Sequence, residues 1–112
     1  MNVIDHVTRS ATDRFLDQAQ KRFLVSRAVL FGSRARGQHA ASSDADVAVI
    51  MTGPPAEFLR TKLALADIAF DVLLETGVLI QPLPIWEEEW DHPARYPNPQ
   101  LLQNIRRDGV PL

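Results

Sequence analysis

A glycine-serine pair, Gly32-Ser33, stands ten residues ahead of a carboxylate doublet, Asp44-Ala45-Asp46, and each unit abuts an apolar run. Upstream, Val25-Ser26-Arg27-Ala28-Val29-Leu30-Phe31 reads as a buried strand; downstream, Ala45 to Met51 reads as a second. Strand side chains alternate with a period of two, so Asp44 and Asp46 project from one face together with Ala48 and Ile50, while Val47 and Val49 point the other way. Helices are expected to cover the valine face.

Two carboxylates on one face can share divalent cations. Acidic oxygens are hard ligands suited to Mg²⁺ or Mn²⁺. Two such ions, about 3.5–4 Å apart, stabilise both the attacking and the leaving oxygen of a phosphoryl displacement. Asp44 and Asp46 are therefore candidate metal ligands and catalytic residues. Gly32 lets the backbone turn sharply and approach a ligand closely. Ser33 suits the N-cap of a short helix, Arg34 to Arg36, stopped by Gly37. Free N–H groups at a helix start attract phosphate oxygens, and the Ser33 hydroxyl adds a donor, which makes Gly32 and Ser33 candidate nucleotide-binding residues. Arg36 could pair with phosphate oxygens and Arg34 is expected in solvent; a plain surface salt bridge is the competing reading for both. A lone Gly-Ser is a common loop and a lone Asp-x-Asp is usually a solvated turn. Only their joint spacing between two apolar strands carries the argument.

The order strand, Gly-Ser, ten residues, Asp-x-Asp, strand resembles the nucleotidyltransferase superfamily that includes DNA polymerase beta, and specifically its minimal (MNT) branch. The wording Gly32-Ser33-Arg34-Ala35-Arg36-Gly37 is similar to that of the antitoxin subunits of HEPN–MNT toxin–antitoxin pairs. The resemblance implies an α/β fold with a small mixed sheet of three to four strands and helices packed on one face. It also implies Mg²⁺-dependent transfer of AMP from ATP to a hydroxyl, expected to be a tyrosine of a HEPN ribonuclease toxin held in a hetero-oligomer. The alternative is an MNT-fold antitoxin that neutralises its HEPN partner by binding alone. Active relatives carry a third carboxylate on the strand after a long helix, where it acts as base toward the acceptor. Here Val78-Leu79-Ile80-Gln81-Pro82-Leu83 offers Gln81 at that place, and Gln81 cannot accept a proton. The nearest substitute in sequence is Asp71. Its segment, Ile68 to Leu74, reads either as helix or as a strand pairing with Val78 to Ile85; helical periodicity favours the helix, which makes Asp71 a surface residue. Larger relatives add a second domain to complete the cleft, and a chain of 112 residues leaves no room for one. The missing wall is expected from the partner.

The remaining layout follows from periodicity. Val7, Ala11, Phe15, Ala19 and Phe23 step by four and mark an amphipathic helix from Asp5 to Phe23. Thr52-Gly53-Pro54-Pro55 ends the second strand and launches a long helix with Pro55 at or near its first turn. Leu59, Leu63, Ala66, Phe70 and Leu73 keep helical step through it, and Gly77 closes it as a left-handed cap. Val78 to Ile85 reads as a third strand, confined to a sheet edge by Pro82 and Pro84. A last helix starts at Asn98-Pro99, buries Leu101, Leu102 and Ile105, and ends with Arg106-Arg107 before Gly109. Trp86 and Trp90 are four apart, on one face if helical, and are expected to pack onto the core.

Composition bounds the rest. One domain, residues 1–112, with a thin core is expected at this length, which leaves room for an exposed face that needs a partner. A net charge of −2 gives no general pull toward nucleic acid, and Arg95, Arg106 and Arg107 are too separated to form a binding stripe. There is no cysteine, hence no thiol chemistry and no zinc-thiolate site, which fits a reducing cytoplasm. Neither a signal peptide nor a membrane span is expected. His6, His39 and His92 lack ligand spacing and are expected to be solvated or locally bonded.

Overall fold

Asp5 caps the first helix: its carboxylate accepts from the Thr8 amide at 2.9 Å and from the Thr8 hydroxyl at 2.8 Å. The cap satisfies an N–H that has no acceptor inside the helix. This helix, α1 (His6–Arg22), buries Ala11, Phe15 and Ala19 from the four-residue stripe, while Val7 stays exposed. The computed structural model describes residues 4–112.

Among the described residues four strands form one sheet. They are β1 (Val25–Phe31), β2 (Ala45–Met51), β3 (Ile80–Trp86) and the two-residue β4 (Val110–Pro111), in the order β3-β2-β1-β4. β1 runs antiparallel to β2 and β4, whereas β2 and β3 are parallel. A parallel pair needs a crossover, and the helix α3 (Phe58–Thr76) supplies it. β3 lies at an edge, which suits Pro82 and Pro84: neither has an N–H to donate to a neighbouring strand.

The alternation along β2 separates two cores. Val47 and Val49 join Ala11, Phe15, Leu65, Ile68 and Val72 beneath the two long helices α1 and α3, which cover the valine face. Ala48 and Ile50 face the opposite way and meet Ile85, Trp90, Leu102 and Ile105. That second cluster belongs to α4 (Glu87–Asp91) and α5 (Pro99–Asp108), two small helices joined through a 3₁₀ turn. Helices thus dock on both faces, with the larger pair on the valine side. Each fully buried Leu, Ile or Phe in these layers contributes about 1.5–3 kcal/mol from removing apolar surface from water.

One local expectation is corrected, and two patterns are resolved by the packing. α3 begins at Phe58, three residues beyond Pro55, because Glu57 is extended and its carbonyl receives the Thr61 N–H at 3.1 Å and the Thr61 hydroxyl at 2.8 Å. The stripe Leu59, Leu63 and Phe70 that reveals α3 as a helix is its outer face, while Leu65, Ile68, Ala69 and Val72 dock on the sheet. Apolar positions on two sides of one helix leave the choice of face to the tertiary packing. Trp86 and Trp90 are both buried but in different cores, since Trp86 ends a strand and only Trp90 is helical. Gly77 closes α3 as expected, at φ 80° with its N–H on Leu73 O at 2.8 Å. Among the described residues no helix is long and apolar enough to cross a membrane.

Candidate active site

Register brings the two halves of the motif together. Phe31 is paired with Asp46 across the antiparallel β1–β2 ladder, so Gly32, one residue further, runs directly beside the Asp46 side chain. The approach is close enough that a methyl group added at Gly32 would collide with Asp46 Oδ2. Gly32 also sits at φ 75°, ψ −158°, a conformation essentially restricted to glycine. Both constraints fall on one residue.

Behind Gly32 the backbone folds into the single-turn helix α2 (Ser33–Arg36), closed by Gly37 at φ 70°. Gly32, not Ser33, occupies the cap position, and Ser33 is the first helical residue. The reason is geometric: the Gly32 carbonyl already accepts the Ala35 and Arg36 amides, each at 3.2 Å, so the helix starts one residue earlier than a serine cap would place it. Ser33 remains half-buried at the mouth of the turn, where its carbonyl accepts the Gln38 amide at 3.0 Å.

The loop from α2 to the carboxylates is held from inside. Arg34, expected in solvent, is only 3% exposed. Its guanidinium donates to Ser43 O at 2.9 Å, Ala41 O at 3.0 Å and Thr8 Oγ1 at 2.8 Å, tying the approach to Asp44 onto α1. His39 adds a second tie through Nε2 to Asp5 Oδ2 at 3.1 Å. Sequence reasoning missed the inward Arg34, since a helix of one turn offers no periodicity by which to tell an inward arginine from an outward one.

Asp44 is exposed just ahead of β2 and Asp46 is partly buried on its second residue, both on the face opposite α1 and α3. Burial pushes the Asp46 carboxyl above its ordinary pKa, the charge of Asp44 pushes it the same way, and Arg36 pulls it back. Arg36 is exposed, bonds Gln38 Oε1 at 3.2 Å, and also helps to lower the pKa of Asp108 at the end of α5. It thus stands as a cation near the carboxylate pair, whereas Arg34 is spent on the loop.

Gln81 completes the picture. The parallel β2–β3 register sets it opposite Asp46, and its side-chain amide donates to Asp44 Oδ2 at 3.2 Å. Asp71, the other candidate for a third acid, lies on helix α3, across the sheet from the doublet. Among the described residues no third His, Cys, Asp or Glu joins Asp44 and Asp46. A two-carboxylate set still fits magnesium, which dehydrates reluctantly and takes its other ligands from water and substrate phosphates. Burial first, and the charge of Asp44 second, disfavour the ionised form of Asp46, and a dication held by the pair would offset both.

A mixed α/β fold that sets a Gly-Ser turn against an Asp-x-Asp strand is of the kind used for nucleotidyl transfer. The nucleotidyltransferase domain family matches residues 12–99, and the chain belongs to it. A solved structure from Sulfolobus solfataricus, of a protein proposed to be a nucleotidyltransferase, shares the fold. It superposes with a TM-score of 0.53 at 17% identity, covering 96% of this chain and 86% of that one. No curated protein matches the sequence.

Proposed function

We propose that this nucleotidyltransferase-family chain transfers AMP from magnesium-bound ATP to a hydroxyl of a partner protein, a tyrosine of a HEPN ribonuclease toxin, and so acts as its antitoxin. The observation that carries the nucleotidyl-transfer half is the contact between the Gly32 backbone and the Asp46 carboxylate. It lets one ligand touch the turn and the carboxylates at once. The antitoxin half rests on the Gly32-Ser33-Arg34-Ala35-Arg36-Gly37 wording.

In this reading the Ser33 hydroxyl and the Ser33 and Arg34 amides receive the triphosphate, because the first helical amide to find an acceptor within the turn is that of Ala35, on the Gly32 carbonyl. Asp44 and Asp46 hold Mg²⁺ or Mn²⁺. The ion, when bound, neutralises phosphate charge and stabilises departing pyrophosphate. Arg36 adds positive charge on the phosphate side. The acceptor oxygen forms its bond to the α-phosphorus as the bond to pyrophosphate breaks, and its proton leaves to water or to the partner, since Gln81 cannot take it. The protein's share of catalysis is positioning and charge neutralisation. A nucleotide on the toxin would add charge and bulk beside an RNA-cutting site and exclude RNA.

One observation favours a second reading. Gln81 ties up Asp44 where an acid would serve as base, which suits an antitoxin that works by binding its HEPN partner without catalysis. Incubating the chain with labelled ATP, Mg²⁺ and the protein encoded beside it separates the two. Label on the partner that disappears with Asp46→Asn supports transfer. Inhibition of the partner that survives Asp46→Asn, with no label, supports binding alone.

A further inference from the structure

The outer face of α3 carries Leu59 at 67%, Leu63 at 58%, Phe70 at 55% and Leu74 at 71% exposure, a continuous apolar stripe with exposed Ala66 at its middle. Such a stripe is costly in water and marks a surface to be covered. The charges beside it say by what. Arg60 and Lys62 lie in the N-terminal part of the helix, while Asp67 lies at its midpoint and Asp71 and Glu75 in the C-terminal half. This runs against the helix dipole, which favours acids at the start and bases at the end. α1 and α5 follow the dipole, with Lys21 and Arg22, and Arg106 and Arg107, in their last turns. α3 has no acid in its first turn and no base in its last.

We propose that α3 pairs antiparallel with α3 of a second copy of this chain, forming an isologous dimer. A two-fold axis near Ala66 sets Leu59 against Leu74 of the second copy and Leu63 against Phe70 of the second copy, with the small Ala66 side chains meeting at the axis where the helices approach most closely. The same operation matches like flanks. Arg60 then reaches Asp71 of the second copy, because both lie on one side of the stripe at helical spacing, and comes beside Glu75, which Arg14 of its own copy already holds at 2.6 Å. Among the described residues of one copy Arg60 pairs only with Glu57, a largely exposed i,i+3 contact, and Asp67 and Asp71 have no ion-pair partner. An open groove of about 570 Å³ between α1 and α3, lined by Asp17, Asp71 and Glu75 with Arg14 and Arg22, leaves room for the arriving guanidinium. Antiparallel helices also oppose their dipoles, so the charge order that strains a lone α3 stabilises a pair. The pairing lies on the face away from Asp44 and Asp46 and leaves that site open. It does not depend on any nucleotide chemistry.

Sedimentation equilibrium of the isolated chain from micromolar to near-millimolar concentration tests the pairing. The expected result is a reversible monomer–dimer equilibrium that Phe70→Glu weakens at least tenfold while leaving the fold intact, since Phe70 is exposed in one copy. Arg60→Glu and Asp71→Arg should each weaken it several-fold, and the two together should restore it. A chain that stays monomeric throughout, a dimer indifferent to Phe70→Glu, or a stripe protected only by a different protein would each overturn the proposal.

Discussion

The side-chain amide of Gln81 donates to Asp44 Oδ2 at 3.2 Å, and the backbone of Gln81 is paired in register with Asp46. A single residue on the edge strand therefore addresses both members of the carboxylate doublet, yet contributes no charge and no base.

Gln81→Asp should convert this position into a third carboxylate. Because a positioned general base contributes roughly 10²–10⁴-fold, we expect transfer to the partner to rise by about tenfold or more, with tighter Mn²⁺ binding in electron paramagnetic resonance titrations. Unchanged rate and unchanged Mn²⁺ affinity would show that position 81 does not address the reacting groups.

Gly32→Ala combines a steric clash with the Asp46 carboxylate and a backbone conformation that alanine disfavours. The expected cost is about 1–3 kcal/mol in urea unfolding. Metal-dependent binding of ATP should be lost even at temperatures where the variant is folded.

Arg34→Ala removes three hydrogen bonds inside the loop that leads to Asp44. Leaving those acceptors without a charged donor should destabilise the fold by about 2–3 kcal/mol. Lysine should not rescue it, since one ammonium cannot reproduce the planar fork that reaches Ser43, Ala41 and Thr8 together. A full rescue by lysine, read from thermal unfolding, would contradict this role.

Asp46 and Asp5 should leave opposite marks on the pH dependence of stability. The raised pKa of Asp46 means the folded state binds the extra proton, so its contribution falls as pH rises from the ordinary carboxylate range through the raised value. Asp5 is also partly buried, which raises its pKa, but hydrogen bonds from Thr8 with the charges of His39 and Arg34 outweigh this and lower it. Its stabilisation is present above the ordinary value of 3.8 and is lost as pH falls below it. Asp46→Asn should accordingly leave the metal-free protein as stable as the parent or more so, with the rise in melting temperature on adding Mg²⁺ and ATP abolished. A large loss of stability without metal would contradict the assignment.

How far the sequence speaks for the structure depends on the length of the pattern. The two-residue period of a strand puts Asp44 and Asp46 on one side of a run that is otherwise apolar on both faces, so their shared face could be assigned in advance, and the prolines of β3 marked an edge. Gly77 announced its own cap. Short or two-sided patterns did not resolve. α2 is one turn long, so the inward Arg34 and the outward Arg36 look alike. α3 is apolar on two sides, and only packing against β2 and β3 selects the Leu65 and Ile68 side. The junction at Trp86–Glu87 changes strand to helix within one charged run, which splits the two tryptophans between cores. β4 is two residues long and has no pattern to read.

The account rests on Gly32-Ser33 and Asp44-Asp46 clasping one magnesium-loaded triphosphate, and isothermal calorimetry with a non-hydrolysable ATP analogue measures that directly, with the chain alone and with its partner bound. The predicted result is saturable one-site uptake that requires Mg²⁺ and vanishes in Asp44→Asn and Asp46→Asn. Uptake that persists without Mg²⁺ or in both variants, or no uptake under either condition, would contradict it.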